Sequence, residues 1–164
     1  MSNDDLFNLD SEVNIRRRNL PHWTRAGAIY WITFRLADAL PLGKLRQLKA
    51  EKEEWALQDS AALNDLQRRE RERLRTARVQ DWLDAGYGAC VFRRACVRDL
   101  LVECLLRFDG ERLKLHAAVV MRNHVHLILE PLENYKLSAL MCGIKGGSAR
   151  AVNRFIGSTG ALWM

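Results

Sequence analysis

The segment KLHAAVVMRNHVHLILE (residues 114–130) decides the fold. Its two halves, residues 114–121 and 123–130, are rich in aliphatic and β-branched residues, which favour β-strands. Arg122 and Asn123 stand where the two halves meet and are suited to a tight turn. The segment therefore predicts a β-hairpin.

The second strand of this hairpin carries a pair of histidines two positions apart. Alternate residues of a strand share a face, so His124 and His126 lie side by side, while Val125 and Leu127 point into the core. Two imidazoles in this arrangement could bind one metal ion, or they are ordinary residues of a half-exposed strand. Asn123 adds an amide that could orient a ligand or a phosphate.

The histidine pair does not identify a metal. Imidazole binds Zn, Mn, Co, Ni or Cu, whereas Mg prefers oxygen ligands. A third ligand is needed, and the sequence does not name one. His116 lies in the neighbouring strand, where an ordinary strand histidine is the favoured interpretation.

Upstream, the pattern predicts one strand and a pair of charged helices. Residues 28–38 alternate β-branched and aromatic side chains, which indicates a strand. Residues 44–79 are rich in Leu, Ala, Arg, Glu, Lys and Gln, without proline or glycine, and are expected to be helical. Asp59 and Ser60 offer a cap that divides this region into two helices. We expect a solvated hairpin, with DNA contact as the weaker alternative because its charges are mixed.

The remaining segments predict one short strand and two helices. Gly86 and Gly88 mark a turn before a short apolar strand, and residues 97–108 have the apolar spacing of a core helix. Residues 136–157 are helical in pattern. There we expect a break at the two adjacent glycines, followed by Ser148 as the cap of a second helical piece.

This order of elements predicts an α+β fold, a ferredoxin-like sandwich with a mostly antiparallel sheet and flanking helices. The charged helical hairpin at residues 44–79 is an insertion. We expect a single domain over residues 1–164, whose first 20 residues are a flexible basic arm.

Composition limits the class of protein. The 164 residues are 48% hydrophobic, enough for one core, and no apolar run approaches the length of a membrane span. The first residues are acidic and unlike a signal peptide, so we expect a cytoplasmic protein without membrane contact. The cysteines, without zinc-site spacing, are expected to be reduced and mostly buried: Cys90, Cys96, Cys104 and Cys142.

The net charge of +6 and pI of about 9.5 suggest an anionic partner. Positive residues beside aromatic side chains suit a phosphate backbone with bases stacked nearby, although a solvated surface is an equal alternative for each cluster. The candidate DNA-binding residues are Arg16, Arg17, Arg18, Trp23, Arg122, Asn123, Lys145, Arg150 and Arg154.

Several segments, in this order, resemble the REP-associated tyrosine transposases, a branch of the single-strand transposases with a His-hydrophobic-His (HUH) motif. They are LPHWTRAGAIYWITFRLAD, DWLDAGYGACVF, VVMRNHVHLILEPL, LSALMCGIKGGSARAVNRFIG and TGALWM. The resemblance covers roughly the last half of the chain and the predicted first strand.

The resemblance implies a DNA transposase of bacterial genomes that cuts and rejoins hairpin or single-stranded DNA beside repeated extragenic palindromes. It implies that His124 and His126 hold a divalent ion, Mg or Mn in this family. It further implies that a tyrosine attacks the phosphate and forms a 5′-phosphotyrosine link.

The chain departs from the family pattern at two places. Arg122 stands where the family usually has proline. The family's nucleophilic tyrosine lies on a helix after the LWM stretch, and the sequence stops at Met164. We therefore expect a metal- and DNA-binding domain without that segment, and no catalytic tyrosine is identified.

The tyrosines that are present match the nucleophile position poorly. Tyr135 is a weak candidate, because it follows the histidine strand, while Tyr30 and Tyr87 are expected to be packing residues. The chain is expected to be a monomer or a homodimer. The alternative function is a non-catalytic nucleic-acid-binding module on the same fold, and a metal-dependent hydrolase unrelated to DNA ranks last.

Overall fold

The structure, a computed structural model, describes the backbone of residues 14–17, 21–24, 27–58 and 64–164, with side chains for 27–57 and 64–164. The strands are β1 (Asn14–Arg17), β2 (Pro21–Thr24), β3 (Tyr30–Arg35), β4 (Leu113–Val120) and β5 (His124–Pro131). The helices are α1 (Leu42–Gln58), α2 (Asp65–Asp84), α3 (Ala95–Leu106) and α4 (Leu137–Ile156), with a 3-10 helix at Val91–Arg93.

Strand β5 lies at the centre of a three-stranded antiparallel sheet with the order β3-β5-β4. Its alternation determines which face is covered: Val125, Leu127 and Leu129 are fully buried in a core shared with α3 and α4. Strands β1 and β2 form a separate antiparallel pair. The predicted α+β class, with an antiparallel sheet and flanking helices, is confirmed.

The predicted hairpin is present, and the backbone of its turn is bonded to two other segments. The N–H of Met121 donates to the carbonyl of His124 at 2.9 Å, which closes the turn. The carbonyl of Asn123 accepts from Leu36 at 2.8 Å, and that of Arg122 accepts from Phe92 at 3.3 Å. The turn that precedes the histidines is therefore held by backbone bonds from the end of β3 and from the 3-10 helix.

The prediction of a short strand after Gly88 is wrong. The chain forms a turn and then the 3-10 helix, in which Phe92 is buried against Trp163 with the rings stacked at 5.4 Å. Gly88 has a positive φ, and a Cβ there would lie 2.5 Å from the backbone oxygen of Asp38. This apolar segment packs its side chain against the core and adds no strand. The main sheet therefore has three strands in the described part of the chain.

The prediction of a break in the last helix is also wrong. Helix α4 runs continuously through Gly146 and Gly147, and Ser148 lies inside it instead of capping a second piece. Its buried hydroxyl donates to the carbonyl of Ile144 at 2.7 Å and accepts from the indole N–H of Trp163 at 3.0 Å. Packing of the apolar face offsets the glycine penalty, about 1 kcal/mol for each residue.

The two helices predicted within residues 44–79 are present, with different bounds. Helix α2 begins after Asn64, which forms a capping box with Gln67. The cap predicted at Asp59 and Ser60 falls outside the described residues. Helix α2 continues to Asp84, past the predicted end, and this extension brings its last turn to the sheet.

Side-chain contacts hold α1 and α2 in an antiparallel arrangement. Arg78 forms an ion pair with Glu51. The ammonium group of Lys44 lies 4.3 Å from the ring centroid of Trp82, and the guanidinium of Arg71 lies 4.8 Å from that of Trp55. The helical hairpin is therefore joined mainly by polar and cation–π contacts.

The four cysteines carry no disulfide. Cys90 and Cys104 are buried, whereas Cys96 and Cys142 are exposed, so the expectation of mostly buried thiols holds for half of them. Burial raises the pKa of the Cys104 thiol. Within the part of the chain that the structure describes, no helix has the length and apolar content required to cross a membrane.

Candidate metal centre

The two histidines lie on the outer face of the sheet, opposite the core. In the register, His124 is the partner of Arg35 and His126 that of Thr33, so both pairs share this face. His124 is 0% exposed, and His126 is partly buried. Their Nε2 atoms approach to 3.1 Å, so the predicted side-by-side arrangement is observed.

Asn123 fixes the protonation site of His124. Its amide nitrogen donates to the carbonyl of Tyr87 at 3.0 Å, which leaves Oδ1 facing the imidazole. Oδ1 can only accept, so Nδ1–H of His124 donates to it at 2.9 Å. In neutral His124, Nε2 therefore carries no hydrogen and has a free lone pair. This is the form of imidazole that binds a metal ion.

His126 is oriented by Thr33. The Nδ1 atom of His126 lies 2.8 Å from the Thr33 hydroxyl, which can accept a hydrogen bond from Nδ1–H and so leave Nε2 without a hydrogen. The ring also meets the edge of Trp31, with the centroids 6.1 Å apart. Each imidazole is thus held by its Nδ1 side, with Nε2 directed to a common point.

The surroundings of His124 favour the neutral form of its imidazole over the protonated form. Burial lowers the pKa of its imidazole, and the neighbouring His126 lowers it further, against an opposing effect from Asp84. A neutral imidazole is the form that ligates a metal ion, so no proton must be removed from His124 at neutral pH before a cation binds.

Helix α2 places two polar side chains beside the imidazoles. Nε2 of Gln80 lies 3.2 Å from Nε2 of His124 and 3.4 Å from Nε2 of His126. Asp84, one turn later, has Oδ1 at 3.2 Å from Nε2 of Gln80 and 3.7 Å from Nε2 of His124. Within the described ranges, no three His, Cys, Asp or Glu side chains form a group that could hold a metal ion.

The spacing of the imidazoles fits a shared cation. Two donor atoms each about 2.1 Å from one ion lie about 3.0 Å apart at an octahedral angle and about 3.4 Å apart at a tetrahedral angle. The observed Nε2–Nε2 distance of 3.1 Å falls between these values. Together with the fixed tautomer of His124, this geometry makes the pair suitable for a divalent transition metal.

An open groove of about 810 Å³ leads to the histidines, between the outer face of the sheet and α2. Trp31, 73% exposed, lines its sheet side, and Arg69, Arg73 and Thr76 line its helix side. Gln80, His126 and the acidic Glu72 also line it. Arg73 is paired with Glu70 at 2.8 Å, whereas Arg69 has no ion-pair partner among the described residues.

A second cationic residue lies opposite His124 in the strand register. Arg35, its register partner, has a buried Nη1 with no hydrogen-bond partner among the described residues, and burial lowers the pKa of its guanidinium. Burial and the charge of Arg35 also lower the pKa of Lys145. A buried N–H without a partner carries a desolvation cost.

The predicted DNA-binding residues are dispersed. Arg122 donates to the carbonyl of Asp84 at 2.8 Å and so caps α2, and Lys145 donates to the backbone oxygen of Met164 at 2.6 Å. Asn123 is buried, and its hydrogen bond to His124 favours a role in orienting that imidazole. Arg150 and Arg154 are exposed on α4. The side chains of Arg16, Arg17, Arg18 and Trp23 lie outside the described residues.

The remaining histidine candidate, His116, has a partner of its own. His116 pairs with Glu130 at 3.2 Å, as an ordinary strand histidine does. Tyr135 follows the far end of β5, and the five residues from His126 to Pro131 span about 17 Å of extended chain. That Tyr135 acts at the histidines stays a prediction. Tyr87, expected to pack, is 40% exposed.

Sequence reasoning missed the residues that surround the pair: Trp31, Thr33, Arg35, Gln80 and Asp84. Strand alternation could have placed the first three on the face of the histidines once the β3–β5 register was known. Gln80 and Asp84 belong to a helix that the charge pattern assigned to solvent, and no local pattern links that helix to the strand.

The comparisons with known proteins bear on the C-terminal part of this structure. Residues 91–163 match the family model "Transposase IS200 like". This segment is similar to IS200-like transposases. The match contains the histidine pair, Asn123 and α4 but not β3, α1 or α2, and it supports a transposase domain. No curated protein and no solved structure gave a significant match.

The Asn123→Ala variant is expected to bind Mn²⁺ about 10- to 100-fold more weakly, because His124 loses the acceptor that fixes its tautomer. It should also be less stable by about 2–4 kcal/mol, since Nδ1 of His124 and the carbonyl of Tyr87 are left unsatisfied. Isothermal titration calorimetry and urea unfolding measure the two effects. Asn123→Asp keeps an oxygen acceptor and should retain more of the affinity; an alanine variant that binds like the wild type contradicts the assignment.

Proposed function

We propose that the chain is a transposase domain that binds hairpin or single-stranded DNA and holds a divalent ion between His124 and His126. The observation that carries this proposal is the pair of Nε2 atoms, 3.1 Å apart and oriented from behind by Asn123 and Thr33. Of the pair, His126 lines an open groove, where an extended strand could reach it.

The groove suits a single strand better than a duplex. Trp31 offers an exposed ring, and unpaired bases stack on such rings with a gain of about 1–3 kcal/mol per base. Arg69 and Arg73 on the opposite wall carry charge complementary to a phosphate backbone. Bases in a duplex are already stacked, so this combination favours the single-stranded flank of a hairpin.

The residues around the histidines have separate tasks in phosphodiester chemistry. When bound, the divalent ion supplies Lewis-acid polarisation of a phosphate oxygen. Asn123 and Thr33 hold the two imidazoles in position. Of the two ions in the resemblance, Mn²⁺ is the better match, because it accepts imidazole more readily than Mg²⁺.

The finer proposal is a REP-associated HUH transposase that cleaves and rejoins DNA through a 5′-phosphotyrosine link. It is supported by the order of the family-like segments and by the matched residues 91–163. Arg122, which replaces the usual proline, does not disturb the turn in this structure: its guanidinium binds the last turn of α2. That contact holds the helix against the hairpin with the histidines.

The second candidate is a non-catalytic nucleic-acid-binding module. The basic groove favours it equally, since Trp31, Arg69 and Arg73 need no metal to bind a strand. The two candidates differ in one respect: only the transposase proposal requires the histidine pair and an ion to affect the DNA complex.

We expect a fluorescent DNA hairpin with a single-stranded flank to bind more tightly in Mn²⁺ than in EDTA, and more tightly than a blunt duplex. The Trp31→Ala variant should weaken binding about 5- to 100-fold, because it removes one stacking surface. Fluorescence anisotropy at fixed ionic strength measures both effects.

Trp31→Phe is the control, since it keeps an aromatic face and should retain most of the affinity. Equal binding in Mn²⁺ and EDTA, with Trp31 still required, supports the non-catalytic module and contradicts the metal-dependent proposal. Equal binding of blunt duplex and of the flanked hairpin contradicts the proposed groove.

A further inference from the structure

We infer that Gln80 of helix α2 completes the metal centre as an oxygen ligand. This inference rests on the proposed function, since it assumes that His124 and His126 hold a divalent ion. It adds a residue outside the segment similar to IS200-like transposases, which begins at residue 91.

The position of the Gln80 side chain carries the inference. Its amide lies 3.2 and 3.4 Å from the two Nε2 atoms, which are themselves 3.1 Å apart. Three donors around one ion at about 2.1 Å form a triangle with edges of about 3.0 Å at octahedral and about 3.4 Å at tetrahedral angles. The observed triangle falls within this range on all three edges.

In the structure the amide nitrogen of Gln80 faces the imidazoles. A half-turn of the amide about its terminal bond exchanges nitrogen and oxygen and places Oε1 at the same corner of the triangle. An imidazole nitrogen repels an amide oxygen when no cation lies between them, and the amide hydrogens then occupy the site. A divalent cation reverses that preference, so the amide is expected to turn when the ion binds.

The number of hydrogen-bond donors and acceptors around Gln80 also favours a bound cation. The amide nitrogen of Gln80 has two hydrogens, but three acceptors surround it: both Nε2 atoms and Oδ1 of Asp84 at 3.2 Å. One acceptor is therefore always left without a proton from this group. A cation in the centre satisfies several lone pairs at once.

The location in the helix adds a favourable charge effect. Gln80 and Asp84 lie one turn apart on the same face, in the last turns of α2. The C-terminal end of a helix carries a partial negative charge, which stabilises a nearby cation. The carboxylate of Asp84, whose Oδ1 lies 3.7 Å from Nε2 of His124, is also close enough to bind a water molecule of the ion.

The test is direct metal binding, measured without DNA. Gln80→Ala is expected to bind Mn²⁺ about 10- to 100-fold more weakly than the wild type. Gln80→Glu supplies a carboxylate at the same position and should bind at least as tightly as the wild type. With Co²⁺ as the probe, the visible absorption spectrum should differ between wild type and Gln80→Ala, because the ligand set has changed.

Gln47→Ala is the matched control. Gln47 lies on α1, and its amide donates to Glu51 at 3.1 Å, four residues later, as that of Gln80 does to Asp84. Its replacement should leave Mn²⁺ affinity unchanged. Alanine favours helices, so neither alanine variant is expected to unfold its helix.

The outcomes separate this inference from the proposed function. If the wild type binds Mn²⁺ and the histidine variants do not, but Gln80→Ala and Gln80→Glu retain both the affinity and the Co²⁺ spectrum of the wild type, the Gln80 assignment is wrong and the metal centre stands. If the wild type binds neither ion, the proposed metal function fails, and the assignment fails with it.

Discussion

Replacing both His124 and His126 with alanine is expected to weaken Mn²⁺ binding by more than about 100-fold, since loss of a group that only orients a metal ligand already weakens metal sites by about 10- to 100-fold. The reason is geometric: both Nε2 atoms that face the common point are removed, and the Gln80 amide alone remains. Calorimetric titration with Mn²⁺ measures the effect, with DNA binding in Mn²⁺ and in EDTA as the second observation.

Two further variants keep this prediction interpretable. His124 is fully buried, so its removal also leaves a cavity, whereas the partly exposed His126 can be replaced alone with little effect on packing. His126→Ala should therefore lose most of the Mn²⁺ affinity while its unfolding curve stays close to that of the wild type. His116→Ala, on the neighbouring strand, should bind as the wild type does. Unchanged affinity in the double variant contradicts the metal centre.

The Trp163→Ala variant is expected to lose about 3–5 kcal/mol of its free energy of unfolding. The indole lies edge-on to Phe34 at 4.7 Å and stacks on Phe92 at 5.4 Å, so alanine leaves a large cavity. It also removes the donor to the buried hydroxyl of Ser148. Urea unfolding monitored by circular dichroism measures this loss, which corresponds to a decrease in melting temperature of about 10 °C.

The same residue links stability to the site. Trp163 forms an isolated bridge with Leu36, and the N–H of Met164 donates to the carbonyl of Arg35 at 3.0 Å. These contacts fix the end of β3 that places Arg35 opposite His124. Trp163→Phe keeps the ring contacts and should lose only about 1 kcal/mol with the indole hydrogen bond. Trp31→Ala, an exposed position, should change stability little. Equal losses at Trp31 and Trp163 contradict this account of the core.

The central hairpin could be predicted because its pattern is local. Strict alternation in β5 determines both the buried face and the position of His124 and His126, and a one-residue shift would expose the whole apolar set. The turn at Arg122 and Asn123 follows from the same pattern. What the sequence could not supply is the contact between Gln80 and this strand, since the two are separated by more than 40 residues and meet only in the folded chain.

The errors of prediction have identifiable physical causes. The short apolar run around Phe92 is compatible with a strand or a helical turn, and packing against Trp163 favours the latter. The glycines of α4 lower helix propensity, but the buried face of the helix outweighs them. Among the possible caps before α2, only Asn64 is followed three residues later by a glutamine, Gln67, that completes a capping box.

The most direct test of the metal centre is a crystal structure of the chain soaked in Mn²⁺, with data collected to locate the metal by its anomalous scattering. The account predicts one strong peak about 2.1 Å from Nε2 of both His124 and His126, on the side of Gln80. A map without a peak at that point, or with Mn²⁺ bound only elsewhere on the chain, contradicts it.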